Sequence, residues 1–168
     1  MSPAPPEFTA IRRIVTRNDE QGRAVVWLDG EATNHRPGYE GRRSTLIWAT
    51  GALPANFRTE EDAGQWQLGT PPPPGGSRFA VIETLPGETY PALHRTDTID
   101  YVICLAGEIT MDLDDSTVTM GPGDVLVQLG TNHGWRNAGG ETAVVAFVLL
   151  DAEPKGSPDL PAAVSSVR

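Results

Sequence analysis

From Arg78 to Leu149 the chain is a series of short apolar runs, cut at regular intervals by glycine, proline, aspartate and asparagine. Runs of roughly four to eight residues are too short for ordinary helices and have the length of strands. The segments Arg78–Leu85, Ile99–Leu105, Ile109–Leu113, Thr117–Met120, Asp124–Gln128, Gly134–Asn137 and Thr142–Leu149 are expected as strands. Ala106-Gly107, Asp114-Asp115-Ser116, Gly121-Pro122-Gly123 and Ala138-Gly139-Gly140 supply the turns. One strand every 8–12 residues or so is the rhythm of a sandwich or barrel. Ile109-Thr-Met-Asp-Leu alternates strictly, so one side of that strand meets a core and the other meets water. The fold class is all-β.

The first half is looser. Residues 1–8 are proline-rich and are expected to form a flexible arm. Ile11–Val15 and Ala24–Leu28 flank Asn18-Asp-Glu-Gln-Gly22 and predict a hairpin. Residues 29–44 are polar and are expected as a loop, Thr45–Ala49 as a strand, and the path to residue 69 as irregular or briefly helical. Thr70–Ser77 contains four consecutive prolines, which cannot join a central ladder and predict a stiff surface connector. The organisation is an arm (1–8), extension strands and loops (9–77), a barrel core (78–150) and a disordered tail (151–168) that holds three prolines.

Composition narrows the function. The chain has 168 residues, enough for one domain, and its 39% hydrophobic content supports a real core. A net charge of -9 argues against binding nucleic acid or an anionic membrane, which calls for clustered Lys and Arg. No apolar run approaches the roughly 18 residues of a membrane span. The start, MSPAPPEF, lacks the basic and apolar regions of a secretory signal, so a soluble cytoplasmic protein is expected. The lone cysteine, Cys104, can form neither an internal disulfide nor a thiolate zinc site, and is expected as an inert buried thiol. A phosphate-binding glycine loop and a nucleophile elbow are both missing from the sequence.

Two histidines stand in glycine-framed segments. One is Gly87-Glu-Thr-Tyr-Pro-Ala-Leu-His94-Arg-Thr96-Asp97-Thr-Ile-Asp100-Tyr-Val-Ile-Cys-Leu-Ala-Gly107. The other is Gly123-Asp124-Val-Leu-Val-Gln128-Leu-Gly130-Thr-Asn-His133-Gly-Trp135-Arg-Asn137. Together they resemble the two signature motifs of the cupin superfamily over residues 78–150. The resemblance implies a double-stranded β-helix, a jelly-roll barrel, with residues 9–60 adding outer strands. It also implies a site built on His94 and His133, with Asp100 at the carboxylate position.

Departures from the motif bear on the chemistry. Thr96 fills the position of a second histidine, and Asp100 is one methylene shorter than the usual Glu. His94, Asp100 and His133 are thus candidate ligands for a divalent metal (Zn, Fe, Mn or Ni). They are equally a candidate acid–base set without one. Asp97 competes with Asp100 for the carboxylate role, and Asp124 is expected to cap a turn. Thr96, Tyr101, Gln128, Trp48 and Trp135 are candidate substrate contacts. Asn132 is a further polar candidate, Arg95 and Arg136 are the cations that could steer an anion, and His35 is expected on the surface.

The function these residues imply is an enzyme acting on a small oxygenated organic molecule by proton transfer: dehydration or elimination, decarboxylation or isomerisation, metal-assisted or not. A ligand-binding barrel without turnover and an Fe(II) dioxygenase are the alternatives. A homodimer is expected, because a partner commonly covers the exposed sheet edge of such barrels.

Overall fold

The expected hairpin forms from β1 (Arg12–Asn18) and β2 (Ala24–Glu31). Its turn is set by Asp19, whose carboxylate accepts the backbone N–H groups of Gln21 and Arg23. The computed structural model describes residues 8–37, 41–89 and 93–153. The expected arm, apart from Phe8, and the tail from residue 154 onward lie outside the described residues.

The segment 29–44, expected as a loop, is a correction. Strand β2 runs on to Glu31, β3 covers His35–Pro37, and β4 (Arg42–Thr50) begins before Thr45. Polar composition misled here because β4 is paired on both sides, by β3 and by β5, and the ladder outweighs local propensity. A single 3-10 turn at Ala63–Gln65 is capped by Asp62. It leads to the proline connector and to β5 (Ser77–Thr84), β6 (Thr98–Ala106), β7 (Ile109–Asp112), β8 (Thr117–Met120), β9 (Val125–Leu129), β10 (Gly134–Arg136) and β11 (Ala143–Asp151). No helix among the described residues is long and apolar enough to cross a membrane.

The barrel strands form two antiparallel sheets, ordered β3-β4-β5-β11-β6-β9 and β10-β7-β8. Strands β3 and β4 are therefore part of the main sheet, and only the β1–β2 hairpin stands as a separate outer layer. Val102, Cys104, Val145, Phe147 and Leu149 of the large sheet pack on Ile109, Met111, Met120 and Trp135 of the small one. This is the double-stranded β-helix, its core sealed between the sheets. At the β6–β7 turn Gly107 has φ +66°, and a Cβ there would lie 2.5 Å from the Thr142 carbonyl oxygen, so only glycine fits.

Register decides what lines the interior. Residues of β11 that belong to the core pair across to β5 and β6 as Val145 with Ile82 and Cys104, Phe147 with Ala80 and Val102, and Leu149 with Arg78 and Asp100. Directly paired residues share a face, so Arg78 and Asp100 point inward at the same end of the barrel. The candidate site lies at that end.

Candidate functional site

His94 and His133 arise from separate loops yet stand opposite each other in an isolated antiparallel bridge. Each backbone N–H donates to the other's carbonyl, at 2.9 and 2.8 Å, and the ring centroids lie 4.4 Å apart. The two motifs thus meet as the resemblance implied. Trp135 supports His133 edge-on at 6.3 Å and rests in turn on Phe147 at 5.5 Å, so it forms the apolar floor beneath the imidazoles.

The environment of His133 sets its tautomer. Its Nδ1 lies 2.9 Å from the Thr131 carbonyl oxygen, which can only accept, so Nδ1 carries the hydrogen and Nε2 keeps its lone pair. The Gln128 amide lies on the same ring nitrogen at 3.0 Å. Turning its oxygen toward that N–H gives the otherwise unpartnered Oε1 a donor. Burial pushes the His133 pKa down to about 4; the Thr131 carbonyl opposes the shift, while the His94 and Arg42 charges add to it. The imidazole is neutral at pH 7, and its lone pair is a better hydrogen-bond acceptor than proton store.

Asp100 faces inward on β6, paired with Gln128 of β9, and is 4% exposed. Its Oδ1 has no hydrogen-bond partner. Burial pushes its pKa up to about 6, against a hydrogen bond from Thr98. The Thr98 hydroxyl is 2.8 Å from that of Thr96, so Thr96 reaches Asp100 through Thr98. The carboxylate competitor, Asp97, is engaged elsewhere: its Oδ1 takes Arg95 at 2.6 Å. Asp124 caps its turn through the Gly121 N–H, as expected.

Among the described residues no three of His, Cys, Asp and Glu converge closely enough to hold a metal ion. The two imidazoles adjoin, but Asp100 does not form such a group with them. The expected His94–Asp100–His133 ligand set is therefore not formed as such.

Several further expectations are corrected. Tyr101 follows Asp100 on the strand and so points to the outer face, where it is 45% exposed. Trp48 pairs with Phe79 on the outward side of β4 and packs edge-on against Trp27 of the hairpin at 6.2 Å. Neither can touch a ligand in the barrel. His35 lies on β3, half-buried, with Nδ1 3.0 Å from the Thr45 hydroxyl. Asn132 donates to Asp114 and serves its loop. Arg136 is paired with Asp112, as Arg95 is with Asp97, so both candidate cations are already engaged.

The sequence reading missed Arg78. It is 4% exposed, inside the barrel, with Nη2 donating to Ser44 Oγ at 2.9 Å. A signal existed: Arg78, Ala80 and Ile82 alternate in phase, so a charged residue leads an otherwise core-facing row.

The comparisons agree with this architecture. Residues 80–150 match the family model of the cupin domain. The chain is 35% identical over 158 residues to phomopsin biosynthesis cluster protein C' of Diaporthe leptostromiformis, spanning 89% of this chain and 82% of that protein. It is 32% identical over 152 residues to the cupin-domain-containing oxidoreductase fogC of Aspergillus ruber, spanning 86% and 74%. In backbone it is similar to the cupin domain of Schizosaccharomyces pombe Cnp3, with TM-score 0.51 over 83% of this chain and 87% of that one. That last likeness, at 12% identity, concerns the fold alone. The chain belongs to the cupin superfamily as a small single-domain member.

Proposed function

We propose that the protein is a cupin enzyme that moves a proton on a small oxygenated organic molecule, with Asp100 as the group that takes and returns it. The observation that carries this reading is Asp100 itself, a buried carboxyl with an unpartnered oxygen, one side chain removed from a neutral imidazole. A general base works best when its pKa lies near the working pH. Asp100, at about 6, meets that condition better than His133, at about 4. His133 Nε2 instead accepts a hydrogen bond from a substrate hydroxyl or enol and orients it over Asp100. Elimination, decarboxylation and isomerisation all fit this division of labour.

The test is exchange of carbon-bound hydrogen for deuterium in D2O, followed by NMR, with a panel of hydroxy and oxo compounds in the presence of a chelator. Exchange in the wild type and its loss in Asp100→Asn are expected. Absence of exchange across the panel, or its survival in Asp100→Asn, overturns the reading.

A second reading, oxidoreductase, is favoured by the name that fogC carries at 32% identity. It predicts oxygen uptake that starts on adding Fe(II), depends on His94 and His133, and is indifferent to Asp100. Binding without exchange or uptake would instead mark a ligand-binding module.

On assembly, we propose a homodimer formed through the outer face of β6 and β9. Val125, Val127 and Leu129 are 74%, 60% and 68% exposed, and they adjoin Tyr101 and Ile103 across the ladder. This face carries no charge and ends at the free edge of the sheet, so two copies related by a two-fold axis present matching surfaces. Sedimentation should give a mass of two chains at micromolar concentration and of one chain for Val127→Glu. A monomeric wild type overturns the dimer.

A further inference from the structure

The chain pairs its other buried arginines with carboxylates. Arg13 meets Asp62 at 2.6 Å and Arg95 meets Asp97 at 2.6 Å. On the outer face of β5, the fully buried Glu83 takes Arg43 at 2.6 Å. Arg78, on the inner face of the same strand, has no carboxylate partner among the described residues, and its Nε makes no hydrogen bond. An isolated buried guanidinium is costly and calls for a counter-ion.

Its surroundings raise that cost. Arg36 pairs with Ser44, the residue that Arg78 Nη2 contacts, and Arg42 lies on the same inward row of β4. Arg36 is exposed and donates to Thr70 at 3.0 Å, which puts it at the rim. Both arginine charges bear on Arg78, and that of Arg42 also reaches His133. In a chain of net charge -9, this cluster is a local positive pole.

We infer that the barrel interior beside the Arg78 guanidinium binds a small organic acid, with Arg78 as the seat of its carboxylate and Arg36 and Arg42 lining the approach. The inference rests on the proton-transfer reading and gives that reading its substrate class. Arg78, Leu149, Asp100 and Gln128 form one rung across four neighbouring strands. Arg78 and Asp100 are thus two strand spacings apart, about 10 Å between backbones. The planar guanidinium fork matches a carboxylate in geometry and charge. A phosphate dianion is the poorer match, because the rung offers it a single guanidinium, with no helix N-terminus at the site among the described residues.

The full-length protein can be titrated with acetate, succinate and benzoate, each against its neutral amide, and with inorganic phosphate, following protein NMR shifts. At least one carboxylate should bind tenfold or more tightly than its amide. Arg78→Gln should abolish that preference, and Arg78→Lys should keep part of it. Should Arg78→Gln fail to fold, Arg36→Gln at the rim is expected to weaken the same preference severalfold. Equal binding of acids and amides, or a preference untouched in whichever of the two glutamine variants folds, overturns the inference. So does phosphate binding more tightly than every carboxylate. Asp100→Asn should keep the preference while losing deuterium exchange, so the inference and the proton-transfer reading fail separately.

Discussion

The two faces of β6 and β9 invert the usual arrangement of a half-buried sheet. The inner face presents Asp100 and Gln128 beside Val102 and Cys104, all at most 4% exposed. The outer face presents Tyr101, Ile103, Leu105, Val125, Val127 and Leu129, each at least 38% exposed. A sheet with one solvated face ordinarily keeps apolar residues inside and polar residues outside. Here hydropathy alone does not tell inside from outside. The inner face is the one that pairing with β11 turns toward the small sheet, and Asp100 and Gln128 are the polar groups it carries there.

The sharpest way to break this contrast is catalytic. Asp100→Asn should lower deuterium exchange by about 10²-fold or more, the range for a general acid–base group. His133→Gln should also slow exchange, mainly through weaker positioning of the substrate.

Stability offers a like-for-like comparison. Val102→Ala on the inner face should cost about 2–3 kcal/mol in urea unfolding, from lost transfer energy and the cavity left behind. Val127→Ala on the outer face should stay within about 0.5 kcal/mol at concentrations where the protein is monomeric. Similar losses at both positions would show the outer face to be packed.

Next in size is a pH effect with opposed contributions. Folding raises the Asp100 pKa to about 6, so the folded state holds the extra proton, and stability is lost as pH rises from the unfolded carboxyl value toward 6. Folding lowers the His133 pKa to about 4, so stability is gained as pH rises from 4 toward the unfolded imidazole value. The two largely cancel in the wild type. Asp100→Asn should therefore be more stable than wild type at pH 7 by up to about 3 kcal/mol while losing activity. Its stability should climb with pH between about 4 and 6, and that of His133→Gln should fall, as urea midpoints would report.

The smallest effects are expected from the aromatic residues on outward faces. Tyr101→Phe and Trp48→Phe should each leave exchange within about twofold of wild type, since neither side chain lies within reach of the reacting groups. A tenfold loss in either would return that residue to the site.

Much of the barrel was legible because strands and turns are written locally. Short apolar runs between turn residues marked each of the strands from β5 to β11, and the positive-φ Gly107 and Gly123 stand at the turns the sequence predicted. The meeting of His94 with His133 was legible through the resemblance of the two glycine-framed motifs to those of cupins. Tyr101, expected as a substrate contact, stands one residue along the strand from Asp100 and so faces outward, which its aromatic character did not reveal.

Other features arise only when distant segments meet. The strands within 29–44 exist because β4 finds β5 on one side and β3 on the other. Trp48 is turned away by a hairpin that supplies Trp27. Glu83 is neutralised by an arginine 40 positions away, whereas Arg78 meets Ser44 and has no carboxylate partner among the described residues. Periodicity assigns a side chain to one face or the other of its own strand. Which face becomes the interior, and which buried charge is left unpaired there, depends on the strands packed beside it, because burial and Coulomb interactions act through space between residues far apart in the chain.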